Sequence, residues 1–491
     1  MSCQLPADCL NEIFEYLDDR KTLYSCLLVN RFVCKISIRI LWRNIWNIRY
    51  TVTNKHRLRV ISTILSTLIA CLPNESKELL FKNGIFISTP TSKPPLFNYP
   101  TFCKVLSIKE LYLIINGALE KITYTKDKNY LVINEVIKMF ITQIFSLKKL
   151  SFHDGIYQNK ISFTYFSGAI DCLKDLSELH CCSSLPSEFF YQLSKICHNL
   201  HSLTIFMEYY NYFPNELKEL ISLQNNLKIL KLSAIHGCDW TVIIPALSKN
   251  SNTLTKLHLY SAYNDTLPIS FIALFSNLQE IKILSDSTTF GKIQFKDFEK
   301  LQHVTFPKLQ YLNISHNCTK LEYIMKFLEN NGKQLKKFYI NGNDHVLNLS
   351  IVKFCPNLKN LSIVIKYDEL DTLRTIFNSC QYLESIKIWC GERFLGEKEV
   401  LETITKYSPK NFGELKIYNR SDSELLPEDL ESFFISWKNR PSFTLIINKK
   451  YNYISLEANK ENMKIIKKYI NLGIIKKFET KDYKNKFFKN I

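Results

Sequence analysis

The chain has 491 residues, 46% of them hydrophobic, enough to build a large core and to exclude a disordered polymer. Only 12 glycines are present, which argues against glycine-rich phosphate loops and dinucleotide folds. The net charge of +18 is carried mostly by lysines spread along the chain, so nucleic acid, which is read mainly through arginine forks, is not the expected ligand.

The first stretch with clear periodicity runs from Leu5 to Trp46. It opens on Leu5-Pro6, and a proline near a helix start costs little because its missing N–H would be unpaired there anyway. Leu10, Ile13, Phe14 and Leu17 then recur at i, i+3, i+4 and i+7, one apolar stripe of an amphipathic helix. Asp18 and Asp19 interrupt it and read as solvated turn residues. A second apolar run holds Leu23, Cys26, Leu27 and Val29, and a third holds Phe32, Cys34, Ile36, Ile38, Ile40, Leu41 and Trp42. Three short helices bury little area alone, so this segment reads as a docking module whose apolar face is completed by a partner or by the following chain.

The order of these residues carries a resemblance. Leu5-Pro6, Leu10, Ile13-Phe14, Leu17, Val29-Asn30-Arg31-Phe32 with Cys34, and Ile40-Leu41-Trp42 fall as they do in an F-box, and SCLLVNRFVCK…ILW is similar to a large fungal group of F-box proteins with leucine-rich repeats. The pattern departs at Arg39, where that group often has proline. The resemblance implies binding of the adaptor subunit of SCF-type (cullin–RING) ubiquitin ligases through Leu5, Pro6, Leu10, Ile13, Phe14, Leu17, Val29 and Trp42. It also implies that the chain is a substrate receptor. The rival reading is a repeat scaffold that binds proteins without a ubiquitylation role.

Residues 47–100 form a junction. HRLRVISTILSTLIACL reads as a helix with Leu58, Ile61, Leu65, Leu68 and Ile69 on one side, expected to pack against the end of the preceding module. STPTSKPPLFNYP, with four prolines, reads as a loop, and a boundary is placed near Thr101.

From there the sequence repeats. The unit Leu-x-x-Leu-x-Ile/Leu starts at Leu147, Leu176, Leu200, Leu227, Leu254, Leu278, Leu309, Leu335, Leu358, Leu383 and, with phenylalanine leading, Phe412. The mean spacing of about 26 residues is that of leucine-rich repeats. Each motif reads as a strand preceded by an amphipathic helix, and such units must stack to bury their faces. The expected fold class is therefore α/β: a three-helix N-terminal module (1–46), then a solenoid over 101–478 with strands concave and helices convex. A lysine-rich tail follows at 479–491. MKIIKKYINLGII, from Met463 to Ile475, is expected to be the solenoid's closing helix and strand.

Within a motif the residue between the last two apolar positions points outward. Thr204, Lys231, His258, Lys282, Asn313, Tyr339, Ser362, Lys387 and Lys416 are thus the candidate substrate-binding positions. Their lysines favour an acidic or phosphorylated protein partner.

Fifteen cysteines and an N-terminus without a signal-peptide pattern point to a reducing compartment, cytoplasm or nucleus. Cys197, Cys355 and Cys380 each lie three residues before a leading leucine, and that shared phase marks them as packed between repeats rather than reactive. The slot resembles that of the cysteine-containing leucine-rich repeats behind many F-boxes. His180-Cys181-Cys182 lacks a second ligand pair at zinc spacing, so no metal is expected. No HExxH, GxSxG or Walker motif occurs, and neither catalysis nor a cofactor is expected. The run from Val60 to Leu72 is too short to span a bilayer, so no membrane is expected either. Twelve lysines, no arginine and four acids lie between Lys449 and Lys489, a solvated cationic face able at most to make salt-dependent contacts.

Overall fold

The computed structural model describes residues 5–17, 19–47, 54–89, 94–119, 125–152, 167–207, 213–235, 240–262, 268–285, 297–315, 320–340, 342, 344–449 and 453–482. The chain forms two compact units, Met1–Leu227 and Lys228–Ile491.

The first unit opens with three helices, α1 (Ala7–Glu15), α2 (Arg20–Cys26) and α3 (Arg31–Arg43). Pro6 stands just before the first turn of α1, where its carbonyl accepts the Leu10 N–H at 3.1 Å. Asp19 caps α2, its carboxylate accepting the N–H groups of Lys21 and Thr22, both at 3.1 Å. Asn30 does the same for α3 through Val33 N–H at 2.8 Å. Phe14, Leu23, Ile36 and Leu41 make the core between the helices, with Leu10, Leu17, Cys26, Leu27 and Trp42 packed around them. At Arg39 α3 runs on without a break, and the guanidinium lies 5.8 Å from the centre of the Phe102 ring. A residue that keeps its N–H lets the last turn stay helical where proline would have broken it.

The end of α3 is tied to the first repeat. Arg43 C=O accepts the Lys104 N–H at 2.9 Å, and the buried Trp46 indole donates to Val105 C=O at 2.5 Å. Trp42 stacks on Tyr99 at 4.3 Å. The helix Asn54–Cys71 buries Ile61, Leu65, Leu68 and Ile69, while Leu58 stays exposed. It faces Ile38, Leu41, Trp42 and Ile45 across a cleft of about 270 Å³. Strands β1 (Val105–Ser107), β2 (Lys149–Ser151), β3 (Glu178–Cys182) and β4 (Ser202–Met207) follow, parallel and in chain order.

The second unit continues the pattern with β5 (Ile229–Ile235), β6 (Lys256–Ala262), β7 (Glu280–Ser285), β8 (Tyr311–Ile314), β9 (Lys337–Ile340) and β10 (Asn360–Ile363). Next come β11 (Ser385–Cys390), β12 (Glu414–Asn419), β13 (Phe443–Lys449) and β14 (Ile475–Asp482). Each pairs in parallel with the next. Within both units this is a repeating strand-and-return architecture with an open parallel sheet, compatible with a leucine-rich-repeat-like solenoid.

The leucines explain the repeat. Leu254, Leu257 and Leu259, one motif, are all at 0% exposure, as are Leu358, Leu361 and Ile363. In most repeats the residue after the leading leucine supplies a carbonyl that accepts two N–H groups from the next repeat. Lys228 C=O takes those of Thr255 and Lys256, both at 2.9 Å, and Lys359 C=O takes those of Glu384 and Ser385 at 2.8 and 3.0 Å. Paired donors on one acceptor fix the phase of these repeats relative to their neighbours.

The returns are less uniform than the motif suggests. α-Helices Leu321–Asn331, His345–Phe354, Leu370–Ser379, Glu397–Tyr407, Pro427–Ser436 and Lys460–Asn471 precede β9 to β14. Ahead of β6, β7 and β8, however, the expected amphipathic helices are replaced by short turns, mostly 3₁₀: Trp240–Ile243, Ser270–Leu274 and Phe298–Leu301. Here single large rings do the work of a helix face: Trp240, Phe275 and Phe306 are completely buried, and the Trp240 indole donates to Pro268 C=O at 2.7 Å.

The slot before the leading leucine holds a polar side chain that joins consecutive repeats. Cys197 Sγ donates to Leu173 C=O at 3.3 Å, and Cys380 Sγ to Cys355 C=O at 3.5 Å. Gln224 accepts from Leu200 N–H at 2.9 Å and donates to Cys197 C=O at 2.8 Å. Asn331 accepts from Phe306 N–H at 2.7 Å and donates to Val304 C=O at 2.8 Å and Phe327 C=O at 3.1 Å. Beside it, a Cβ on Gly332 would approach Phe354 C=O to 2.5 Å, a distance only glycine avoids.

The solenoid also runs past its expected end at 478. Ile446 to Lys449 pair with Glu479 to Asp482, so these four residues belong to β14 because β13 offers them a full parallel ladder. Residues 483–491 of the expected tail lie outside the described residues.

Candidate interaction surfaces

The eight N-terminal candidates divide. Leu5, Pro6, Ile13 and Val29 are exposed, Val29 at 65%. Leu10, Leu17 and Trp42 are partly covered, and Phe14 is buried; all four belong to the core of α1 to α3. Sequence periodicity places them on one stripe, but a stripe wide enough to close an internal core has only its flanks left for a partner. The outer face gains residues that the sequence reading passed over, Leu28 at 89% exposure and Tyr16 at 79%, and also shows Phe32. Leu28 and Val29 lie in the turn between α2 and α3, where two adjacent large apolar residues have no inward side to point to.

Eight of the nine strand candidates are in one register. In the second unit Lys231 aligns with His258, and then Lys282, Asn313, Tyr339, Ser362, Lys387 and Lys416 follow in a continuous row. Thr204 holds the same place in the first unit, opposite His180. Three of the nine are not accessible as expected: Thr204 and Ser362 are completely buried and His258 nearly so. Adjacent parallel strands lie about 4.8 Å apart, so a short side chain is roofed by longer neighbours on either side. Lys231, Lys282, Asn313, Tyr339, Lys387 and Lys416 are half-buried.

Carboxylates at the first positions of β7 and β12 neutralise parts of this row. Glu280 accepts from His258 Nε2 at 2.8 Å and from Lys282 Nζ at 2.7 Å, with Lys256 Nζ at 3.8 Å. Burial works to raise the Glu280 carboxyl, but the hydrogen bonds from His258 and Lys282 and the Lys282 charge outweigh it, and it falls to about 2. Burial also lowers the His258 imidazole against the pull of Glu280. At neutral pH His258 is therefore an uncharged N–H donor, and the charge balance is held by Lys282. Glu414 accepts from Lys416 Nζ and Ser385 Oγ, both at 2.6 Å.

Lys387 has a different environment. Its Nζ lies 4.2 Å from the Tyr418 ring centre and 5.5 Å from that of Trp389, and no carboxylate among the described residues pairs with it. Burial, with Lys416 as a second cause, pushes its amine down to about 8.

Nothing among the described residues points to covalent chemistry at these surfaces. No group of three His, Cys, Asp or Glu side chains is placed to hold a metal, and in His180-Cys181-Cys182 both cysteines are buried. Burial raises the Cys197 thiol to about 12 and the Cys380 thiol to about 11, which keeps both protonated. No described helix is long and apolar enough to cross a membrane.

No family model matches the chain, and no curated protein matches it. Among solved structures it is similar to the leucine-rich repeat-containing protein LegL7 from Legionella pneumophila. The likeness has 13% identity and a TM-score of 0.33, covering 53% of this chain and 90% of that one. At that score the repeat architecture rests on the chain's own strand register and hydrogen-bond ladder.

Proposed function

We propose that this chain is a non-catalytic interaction scaffold whose strand row binds a segment of another protein. The observation that supports this most is the unbroken register from Lys231 to Lys416, which lines up polar and aromatic side chains on a rigid backbone. A parallel sheet with locked phase presents such a row without reorganisation, so little ordering cost opposes binding. The test is site-specific photocrosslinking in the full chain, with the crosslinker at Asn313 or Tyr339 on the row and at Lys326 or Arg374 on the returns. A partner captured from the row positions and not from the returns supports the scaffold; equal capture from both sinks it.

A second reading deepens the first. The order of residues in α1 to α3 and the exposure of Leu5, Ile13, Leu28 and Val29 favour docking of the SCF adaptor, which would make the chain a substrate receptor of a cullin–RING ligase. In that role it brings a bound protein close to a charged conjugating enzyme and works by effective concentration. Its setting would be intracellular, in cytoplasm or nucleus. Co-purification of the full chain with the adaptor, beside a Leu28→Asp, Val29→Asp variant, decides it. Both positions are exposed, so the variant keeps the core. A complex lost in the variant supports the receptor. No complex with the folded wild type removes the receptor reading and leaves the scaffold.

A further inference from the structure

We infer that the apolar cleft beside the helix Asn74–Lys82 binds an unbranched acyl chain whose carboxylate meets the Lys77 ammonium. The cleft shares no residue with α1 to α3 or with the strand row, so this ligand is additional to the protein partners of those surfaces. A reversal of the chain builds it. Gly84 closes the helix at φ +67°, donating its N–H to Phe81 C=O at 2.9 Å, and Ile85 N–H donates to Leu80 C=O at 3.0 Å. Such a closure needs a residue at ease in the left-handed region, and it turns the chain back beside the helix it has left. Residues Ile85 to Thr89 and two consecutive helices, Asn54–Cys71 and Asn74–Lys82, then enclose about 530 Å³. Ile69, Ala70, Leu80 and Ile85 of this lining are buried. Phe81 and Phe86 remain 66% and 61% exposed, their rings edge to face at 5.3 Å.

Small-ligand sites are clefts of about 300–1,000 Å³, mostly apolar, with a few polar groups that fix orientation. Water in this cleft meets aliphatic and phenyl surface, and an apolar ligand displaces it at a gain. The two exposed phenyl rings add apolar area for a ligand to cover. The helix has nine residues and is about 13 Å long, so a cleft between it and an extended segment is a slot that a linear chain fills. The charge in the lining has one sign: Lys77 is its single cation, and no carboxylate belongs to it. Lys77 Nζ donates to Ala70 C=O at 2.8 Å, and that carbonyl is its one partner among the described residues. The bond holds the ammonium against the cleft and leaves two N–H donors for an anionic head. The apolar walls thus select the chain, and the ammonium selects the head and its direction.

The test titrates the full chain calorimetrically with octanoate, decanoate and dodecanoate, each below its micelle concentration, and with 1-decanol. Saturable binding of one molecule is expected, about ten-fold tighter for each two methylenes added. Ala70→Leu, which adds bulk inside the cleft, should weaken dodecanoate at least ten-fold. Phe86→Ser, at an exposed position that spares the core, should weaken it at least three-fold. Leu79→Ser, exposed on the same helix but outside the lining, should change nothing. Lys77→Met should weaken decanoate about ten-fold and leave 1-decanol unaffected, and thermal unfolding checks that each variant is folded. Absence of saturable binding overturns the site, as does binding that neither Ala70→Leu nor Phe86→Ser weakens. Equal loss of decanoate and 1-decanol in Lys77→Met overturns the placement of the head.

Discussion

Replacing Asn331 by leucine tests whether the amide clamps between repeats carry stability. The side chain is completely buried and serves three backbone groups on two consecutive units: Phe306 N–H, Val304 C=O and Phe327 C=O. Leucine has the same branched shape with two larger methyl groups in place of the amide, so no cavity is left and the loss is one of hydrogen bonding with some crowding. Phe306 N–H and Val304 C=O are left without this partner inside the protein, at about 1–3 kcal/mol each. The expected destabilisation is therefore on the order of 2–6 kcal/mol. Denaturant unfolding followed by circular dichroism measures it, and hydrogen exchange at the Phe306 amide localises it. A loss under about 1 kcal/mol with the Phe306 amide still protected would refute the reasoning, because the clamp would then be replaceable by apolar packing.

Three further outcomes follow from the charges and thiols. Glu280→Gln should cost about 2 kcal/mol at pH 7; because the folded carboxyl sits at about 2 against an ordinary 4.5, the wild-type advantage should vanish as pH falls through that window. Urea unfolding at pH 7, 4 and 2.5 reads this directly. Lys387→Met should do the opposite and stabilise the chain by about 1–3 kcal/mol at pH 7. The unfolded amine keeps its ordinary 10.5 while the folded one lies at about 8, so wild-type stability should rise, and the variant's gain shrink, between those values. In native protein the exposed Cys9 should react quickly with a thiol reagent, while Cys197, Cys355 and Cys380 should react only on unfolding. Mass spectrometry of the labelled sites separates the two classes.

The repeat itself was legible because its signal is a buried leucine every unit, and burial is what the period reports. Its ends were not. β1 has Cys103 where a leading leucine stands elsewhere, and that cysteine is completely buried in the leucine's place. β14 begins Ile475-Lys476-Lys477-Phe478, a motif hidden by its lysines. The turns before β6 to β8 were misread because apolar content does not reveal whether a helix or one large ring fills a gap. At the surfaces, alternation puts the eight positions from Lys231 to Lys416 in one register, yet does not reveal that Thr204, His258 and Ser362 are roofed by their neighbours. Glu280 and Glu414 escaped notice because, besides the lysine two residues on, each holds a side chain of the strand before it, His258 or Ser385, and that neighbour is close in space rather than in sequence. At the N-terminus, Phe14 and Trp42 went to the core and Leu28 to the surface, a division set by helix packing that one helix's stripe does not contain.

Strand β14 has one neighbour among the described residues, β13, so its outer side presents an unpaired row of backbone donors and acceptors. Ten parallel strands are a template that another molecule's strand could extend, and repetition of that event would give fibres. Lys476, Lys477 and Lys481 stand along that rim, with Lys477 and Lys481 sharing Glu479 at 2.8 and 3.0 Å. Two ammonium groups on one carboxylate leave the rim cationic, and a second rim of the same sign is repelled before its backbone comes within reach. The lysines that look in the sequence like a solvent-facing appendage thus put like charge along a strand edge that would otherwise invite pairing.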